Sequence, residues 1–131
     1  MVGSGGMAMP ETVTVDENLG IVRIESYGDV TAEDLRASLA SALKIHRERG
    51  LSRGFVDATK VTSYPSTIQI YGFGSQAAEP LKGLRLAIAA PPGMHDDPTF
   101  FETVVRNRGA IVRVFDSPDA ALAWLTSEPN K

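Results

Sequence analysis

The sequence contains no cysteine, which excludes disulfide bonds, a thiol nucleophile and cysteine metal sites. It also has no apolar run close to the roughly 20 residues that a membrane-spanning helix requires. Neither sign of charge dominates, because 13 Lys and Arg stand against 16 Asp and Glu. That balance gives no electrostatic surface for nucleic acid or for an anionic membrane. We therefore expect a cytoplasmic protein that does not bind nucleic acid and has no transmembrane segment.

The residues that are present predict one globular domain. The chain has 131 residues, 43% of them hydrophobic, and a chain of this length buries enough surface to form one core. Gly and Ser are frequent at the start, where small side chains cannot offset the entropy of ordering. We expect residues 1–11 to form a flexible tail, with the natural start at Met7 or Met9. The domain is expected to span residues 12–126, followed by a C-terminal tail at residues 127–131.

Alternation of apolar and polar residues predicts a hairpin at the start of the domain. Val13 and Val15 alternate with threonines, a turn cluster follows at residues 16–20, and the alternation resumes at Ile21–Glu25. Three later apolar runs predict further strands, at Gly54–Ala58, Leu84–Ala90 and Ile111–Phe115. The second of these is apolar or small at nearly every position, which is typical of a parallel strand covered on both faces.

Capping signals and helical periodicity predict a first helix. Thr31 is a suitable N-cap, and Gly50 is a suitable C-cap. The apolar stripe between them consists of Leu35, Leu39, Ala42, Leu43 and His46. We interpret His46 as a structural residue, because no His or Cys stands at metal-ligand spacing from it.

Three further helices are predicted by weaker or shorter signals. Residues 66–78 resemble a helix that contains Gly72 and Gly74, each of which costs about 1 kcal/mol relative to Ala. The same two glycines would permit the close approach of another backbone. Asp97–Pro98 and Ser117–Pro118 each combine an N-cap residue with proline at the first helical position.

Helices between the later strands require parallel pairing and right-handed connections. We therefore predict the α/β fold class, as a single domain with a mixed sheet of about five strands and about four helices. In this sheet an N-terminal antiparallel hairpin precedes the parallel strands.

Three segments carry a resemblance to a known family. They are the closing strand and helix at residues 112–125, the passage Tyr27–Leu35, and the run Phe55–Thr59 with its Asp57. These segments resemble the corresponding passages of the anti-sigma-factor-antagonist-like (STAS-like) bacterial proteins, which are often grouped with lipid-transfer CRAL-TRIO domains. The resemblance covers residues 12–126 and implies a STAS-like fold in a non-enzymatic domain that binds a partner protein or a small ligand.

The resemblance also directs attention to Ser66. In sigma-antagonist members, a serine at the start of the second helix, usually inside an Asp-Ser-Ser-Gly-like motif, is phosphorylated by a partner kinase. Ser66 falls at that place, although Pro65 and Ile68 replace the flanking Asp and Gly. Ser66, Ser63 and Thr67 are thus candidates for a phosphoacceptor or anion site. The alternative is helix capping and turn chemistry by the whole hydroxyl cluster. That cluster consists of Thr59, Thr62, Ser63, Ser66 and Thr67.

Aromatic and methionine side chains are frequent in and around the second and third helices, where most of them would belong to the core and the surplus to a pocket or an interface. The candidate pocket or interface residues are Tyr64, Tyr71, Phe73, Met94 and Phe101. They would line a small apolar pocket near these helices or cover a dimer face. We expect a homodimer, because a glycine-interrupted helix with aromatic residues on more than one side is hard to cover within 131 residues.

One cluster has metal or acid–base character, His95, Asp96 and Asp97. It follows the predicted parallel strand at its carboxyl end, where open α/β sheets place ligands. Asp97 is already explained as an N-cap, so we predict no catalytic residue, no metal and no cofactor. The sequence also contains no Gly-x-Ser-x-Gly nucleophile turn and no Gly-x-x-x-x-Gly-Lys phosphate loop.

Three functions stay open at this point. The first is a non-enzymatic binding or regulatory domain like the anti-sigma-factor antagonists. The second is a small lipid- or metabolite-binding protein, which a pocket bounded by Tyr71, Phe73 and Phe101 would favour. The third is a small hydrolase that uses His95 and a carboxylate, which would require the two groups within hydrogen-bond reach in a cleft.

Overall fold

The computed structural model describes residues 11–94 and 96–127. The rest of the two expected tails, at residues 1–10 and 128–131, and His95 lie outside the described residues. Glu11, which we expected in the tail, is instead the first residue of a strand, and it is only 8% exposed. Its carboxyl group finds hydrogen-bond donors inside the fold, which explains why this polar residue is part of the domain.

Strands and helices alternate along the described residues. The strands are β1 (Glu11–Asp16), β2 (Ile21–Asp29), β3 (Arg53–Ser63), β4 (Arg85–Ala89) and β5 (Ile111–Phe115). The helices are α1 (Ala32–Arg49), α2 (Thr67–Leu81), α3 (Asp96–Arg106) and α4 (Pro118–Thr126). The strands form one sheet in the order β1-β2-β3-β4-β5. β1 pairs with β2 antiparallel, and all later pairs are parallel, which confirms the predicted fold class.

Side chains of β4 alternate between two cores, one on each face of the sheet. Ile88 belongs to a cluster that includes Val105 of α3 and several residues of α2. Ala87 and Ala89 belong to a second cluster with Leu125 of α4. Helices therefore cover both faces of this strand, as its apolar sequence predicts.

The two predicted ends of α1 are confirmed. The Thr31 hydroxyl accepts a hydrogen bond from the backbone N–H of Asp34, and the Asp34 carboxylate accepts one from the backbone N–H of Thr31. This reciprocal pair is a capping box. Gly50 ends the helix in the left-handed conformation with φ of 73°.

β3 is longer than its apolar run predicts. It continues to Ser63 because β2 also continues, and Asp29 of β2 is the register partner of Ser63. Thr59 and Thr62 therefore lie in a strand and do not cap a helix, which corrects our interpretation of the hydroxyl cluster. Their hydroxyls bond to carboxylates, Thr59 to Asp57 and Thr62 to Asp29.

The second helix is confirmed and runs on to Leu81 despite its glycines. A Cβ atom built at Gly74 would lie 2.9 Å from Cγ1 of Val104, so this glycine is where α3 packs against α2. The close neighbour predicted for the glycines is thus the side chain of a helix in the same chain. Apart from its chain neighbours and the backbone of its own helix, no atom lies within 4 Å of the built Cβ position of Gly72.

The helix starts at α3 and α4 differ from each other. Ser117 caps α4 by accepting from the N–H of Ala120, and Pro118 follows it, as predicted. In α3 the helix already begins at Asp96, so Asp97 lies inside the first turn and is not the N-cap. Pro98 still falls in the first turn, where a missing backbone N–H removes no helical hydrogen bond.

Candidate functional site

A cavity of about 130 Å³ lies beneath α1, between that helix, the sheet and the inner sides of α2 and α3. We call it the α1 cavity. Its walls are mainly apolar and include Ile24, Leu35, Leu39, Leu43, Val56 and Phe101. The whole predicted stripe of α1 lines this space, so its periodicity correctly identified the inner face of the helix.

The cavity exists because α1 does not pack closely on the sheet. Only Ala32 and Ser38 of this helix are fully buried. The leucines of its stripe, Leu35, Leu39 and Leu43, are only partly buried. Closely packed cores leave few voids larger than a water molecule. The packing beneath α1 is therefore unusually open.

One end of the cavity holds a buried polar group that we call the Glu11 cluster, formed by Glu11, Ser26 and Ser38. Glu11 on β1 is the register partner of Ser26 on β2, and the Ser26 hydroxyl donates to Oε2 of Glu11 at 2.6 Å. The Ser38 hydroxyl of α1 donates to Oε1 of the same carboxyl group. Burial raises the pKa of Glu11, and the charge of Asp34 also raises it, while the two serine hydrogen bonds act to lower it.

Tyr64 and Asp97 line the same end of the cavity. Tyr64 directly follows β3, and Asp97 lies in the first turn of α3, so both stand at the carboxyl ends of parallel strands. Burial, followed by the negative charges of Glu11 and Asp97, raises the pKa of Tyr64 above its ordinary range. Its phenol therefore stays a neutral hydroxyl at physiological pH.

The opposite end of the cavity lies at the start of β3. His46, Leu51 and Arg53 line it there. Nδ1 of His46 lies 2.8 Å from the backbone carbonyl oxygen of Leu51, so this ring nitrogen carries the proton and donates. The bond ties the C-terminal end of α1 to the segment before β3, which is the structural role predicted for this histidine.

Some of the predicted pocket residues line the α1 cavity and others do not. Tyr64, Phe73 and Phe101 line the α1 cavity, and the rings of Phe73 and Phe101 stack with their centroids 5.4 Å apart. Tyr71 lies outside the cavity and is 49% exposed, so the predicted pocket bounded by Tyr71 is wrong in that residue. Met94 is not among the lining residues either.

Tyr71 has a different neighbour, Arg108. A guanidinium nitrogen of Arg108 donates to the Tyr71 hydroxyl at 3.3 Å, and the guanidinium carbon lies 5.6 Å from the ring centroid. This hydrogen bond and the charge of Arg108 lower the pKa of Tyr71. Tyr71 is thus part of the outer surface of α2.

The three candidate anion-site residues lie close in sequence but do different things. Ser66 caps α2, accepting from the N–H of Gln69 at 3.2 Å, and its side chain is exposed. Ser63 donates its hydroxyl to the carboxylate of Asp29 at 2.7 Å. Thr67 is the exposed first residue of α2. The carboxylate beside Ser63 disfavours an anion there. Ser66 and Thr67 are exposed at the positive end of the α2 dipole, and the side chains of Ser66 and Gln69 cap that end.

The polar residues of the Glu11 cluster were missed by the sequence reasoning, although the patterns contain them. Glu11 has the same strand parity as Val13 and Val15, and Ser26 continues the inward positions of β2. Ser38 falls three residues after Leu35 on the stripe of α1. Polar residues at inward positions are the signal that would have found this cluster.

The cluster at the start of α3 is only partly described, since His95 lies outside the described residues. Asp96 is exposed, and Asp97 lines the α1 cavity. Within residues 11–94 and 96–127 there is no group of three or more His, Cys, Asp or Glu side chains that could hold a metal ion. In the same part of the chain, no helix combines the length and apolar character needed to cross a membrane.

Four helices and a five-stranded sequential sheet, antiparallel at the hairpin edge and parallel elsewhere, give this chain the SpoIIAA-like, STAS-like α/β fold. Comparison with solved structures supports this class. One similar structure is an uncharacterised protein of the DUF3478 family with a SpoIIAA-like fold from Shewanella loihica PV-4. It has a TM-score of 0.53 and 17% identity, and the match covers 88% of this chain and 91% of that chain.

A second similar structure is the anti-sigma factor antagonist SpoIIAA in its unphosphorylated form. Its TM-score is 0.55 at 13% identity, and the match covers 90% of this chain and 99% of that chain. No protein-family model and no curated protein sequence matches this chain. The structural likeness confirms the fold that the sequence resemblance implied, and at these identities it establishes the fold alone.

Proposed function

We propose that this protein is a non-enzymatic binding domain whose ligand is a small, mainly apolar molecule held in the α1 cavity. The observation that carries the proposal is the cavity of about 130 Å³, with its mainly apolar walls and the buried Glu11 cluster at one end. An apolar cavity of about 150 Å³ is large enough to hold benzene. Few polar groups at a defined place in an apolar pocket are typical of small-molecule sites.

Toluene is the probe that tests this proposal, because it fills apolar space without polar contacts. In an NMR titration of the full chain, we expect saturable shifts at residues that line the cavity, such as Leu39 and Phe101. Leu39→Phe would occupy part of the space and weaken toluene binding. Ala40→Phe adds the same ring on the exposed side of α1 and is the matched control. If toluene causes the same saturable shifts in Leu39→Phe as in the unmodified protein, the proposal is contradicted.

A regulatory domain that binds a partner protein is the second candidate, and the exposed side of α2 favours it. Ile68 is 82% exposed two residues after the cap Ser66, and the half-exposed Tyr71 follows three residues later. We call these three residues the α2 face. The similar solved structure of an anti-sigma factor antagonist supports this role, and Ser66 is the proposed phosphoacceptor on the face.

A photo-crosslinking amino acid at position 68 tests the second candidate in the source cell. We expect one discrete crosslinked partner protein, distinct from a crosslinked dimer of this chain. Ser66→Asp should abolish that product while the melting temperature of the protein stays nearly unchanged. The same crosslinker at Leu19, which is 45% exposed on the hairpin turn, is the control. Identical crosslinked products from both positions would exclude a specific α2 face.

A hydrolase remains the third prediction from the sequence. It depends on His95, which lies outside the described residues. The hydrogen-bonded carboxyl group that the structure does bring into the cavity is Glu11, and its partners are the serines 26 and 38. This arrangement supports ligand binding more directly than catalysis.

A further inference from the structure

The Glu11 cluster has few hydrogen-bond donors to offer to a ligand. The hydroxyl protons of Ser26 and Ser38 are already directed at the two oxygens of Glu11. A carboxylate has about four lone-pair sites, and each serine oxygen retains lone pairs as well. The cluster therefore presents unused acceptors toward the cavity.

The other groups at this end of the cavity add to the excess of hydrogen-bond acceptors over donors. Asp97 adds a carboxylate, and Tyr64 adds one hydroxyl that both donates and accepts. Among the described residues that line the cavity there is no Lys, and Arg53 lies at the opposite end, at the start of β3. A negatively charged head group would meet two carboxyl groups and no described cation at the Glu11 end.

We propose that the ligand of the α1 cavity carries a single hydrogen-bond-donating head group, an alcohol or an amine, which binds at the Glu11 cluster. The inference rests on the proposed function, because it specifies the polar end of the molecule that the cavity holds. It excludes carboxylate- and phosphate-headed molecules from this site. The head group donates to an oxygen of Glu11 or of its serine partners, while the apolar part contacts the leucines of α1 and the stacked rings of Phe73 and Phe101.

Four probes of nearly equal size test the inference at neutral pH: toluene, benzyl alcohol, benzylamine and benzoate. The dissociation constants are measured by NMR titration of the full chain. We expect benzyl alcohol and benzylamine to bind more tightly than toluene. Benzoate should bind about tenfold more weakly than benzyl alcohol, because its charge loses water without finding a partner.

The measured affinities distinguish a failure of the head-group inference from a failure of the proposed function on which it rests. If none of the four probes binds, the proposed apolar ligand site is itself wrong. If toluene binds and benzoate binds as tightly as benzyl alcohol, the site stands and the head-group inference is overturned. Equal affinities for toluene and benzyl alcohol would overturn it as well.

Two serine variants show whether the cluster contacts the head group or only shapes the cavity. Ser38→Ala removes one buried hydroxyl, and Ser41→Ala removes an exposed hydroxyl from the same helix as the control. We expect Ser38→Ala to change the preference for benzyl alcohol over toluene about threefold, because it removes one acceptor oxygen and frees Oε1 of Glu11 from its serine donor. Ser41→Ala should leave that preference unchanged. An equal loss for both probes in Ser38→Ala would contradict the inference.

Discussion

Glu11 is a carboxyl group inside an otherwise apolar cavity, and its protonation is linked to the stability of the fold. Burial raises its pKa above the ordinary value of 4.5. The folded protein thus holds this proton more tightly than the unfolded chain does. The contribution of Glu11 to stability is then fully present below pH 4.5 and is lost as the pH rises through the folded-state pKa.

We predict that Glu11→Gln raises the melting temperature at pH 7 and that this gain shrinks toward pH 4. Glutamine keeps an oxygen and an amide for the two serines but has no charge to bury. Glu11→Ala should instead cost about 1–3 kcal/mol, because it leaves the hydroxyls of Ser26 and Ser38 without their acceptor. Thermal unfolding measured from pH 4 to pH 8 decides both expectations.

Glu17 provides a control with the opposite sign. The hydrogen bond from Arg49, together with its charge, lowers the pKa of the exposed Glu17. The stability from this pair is present above the ordinary pKa and is lost as the pH falls. Glu17→Gln should therefore lower the melting temperature slightly at pH 7, opposite to Glu11→Gln, and this loss should shrink at acidic pH. If the melting temperatures of the two variants change with pH in the same direction, burial of Glu11 is not the cause of the effect of Glu11→Gln.

Single residues were predictable where a local rule fixes them. Thr31, Ser66 and Ser117 each cap a helix, and their position in the sequence is enough to show it, since a cap bonds only to residues in its own first turn. Glu11 and Ser38 were not predictable in this way. Their partners are 15 and 27 residues away, and the pairing depends on the register of β1 and on the placement of α1.

At the scale of elements, the two glycines of α2 are expected to have opposite effects on stability, although both lie in the same helix. Glycine weakens a helix by about 1 kcal/mol relative to alanine when nothing else changes. Gly72 has open space around its Cβ position, whereas Gly74 faces the side chain of Val104 at 2.9 Å. Both residues lie inside α2.

We predict that Gly72→Ala stabilises the protein by about 0.5–1 kcal/mol and that Gly74→Ala destabilises it. The first change gains helix propensity without a clash. The second forces α2 and α3 apart at a buried contact, and overpacking of this kind costs about 1–3 kcal/mol. Chemical denaturation of the two variants is the measurement. If both variants gain the same free energy of unfolding, the contact between Gly74 and Val104 is not tight.

Element types and order followed from the sequence, whereas several element boundaries did not. β3 extends past its apolar run because the neighbouring β2 offers hydrogen bonds as far as Asp29, which is information from another element. α3 begins at Asp96, two residues before Pro98, which the cap-and-proline signal places at the first helical position. The cavity itself was unpredictable, because the stripe of α1 specifies which side faces inward and not how closely the helix approaches the sheet.

For the whole molecule, the α2 face is the surface on which we predict self-association. Ile68 and Tyr71 on this face are large apolar side chains left in contact with water. We expect sedimentation at about 100 μM to show a homodimer, because pairing of two such faces removes these side chains from water. Ile68→Ser should shift the protein to the monomer, and Leu19→Ser should not. A monomer in the unmodified protein would rule out this assembly.

The loose packing of α1 on the sheet also affects how local stability differs between the helices of the molecule. α1 buries two of its 18 residues, while α2 buries six of 15, so detaching α1 exposes less apolar surface. We predict that backbone amides of α1 exchange with deuterium sooner than those of α2. This opening would also be the route by which a molecule enters or leaves the cavity. Bound benzyl alcohol should then slow exchange in α1 most, and uniform slowing across all helices would point to a different entrance.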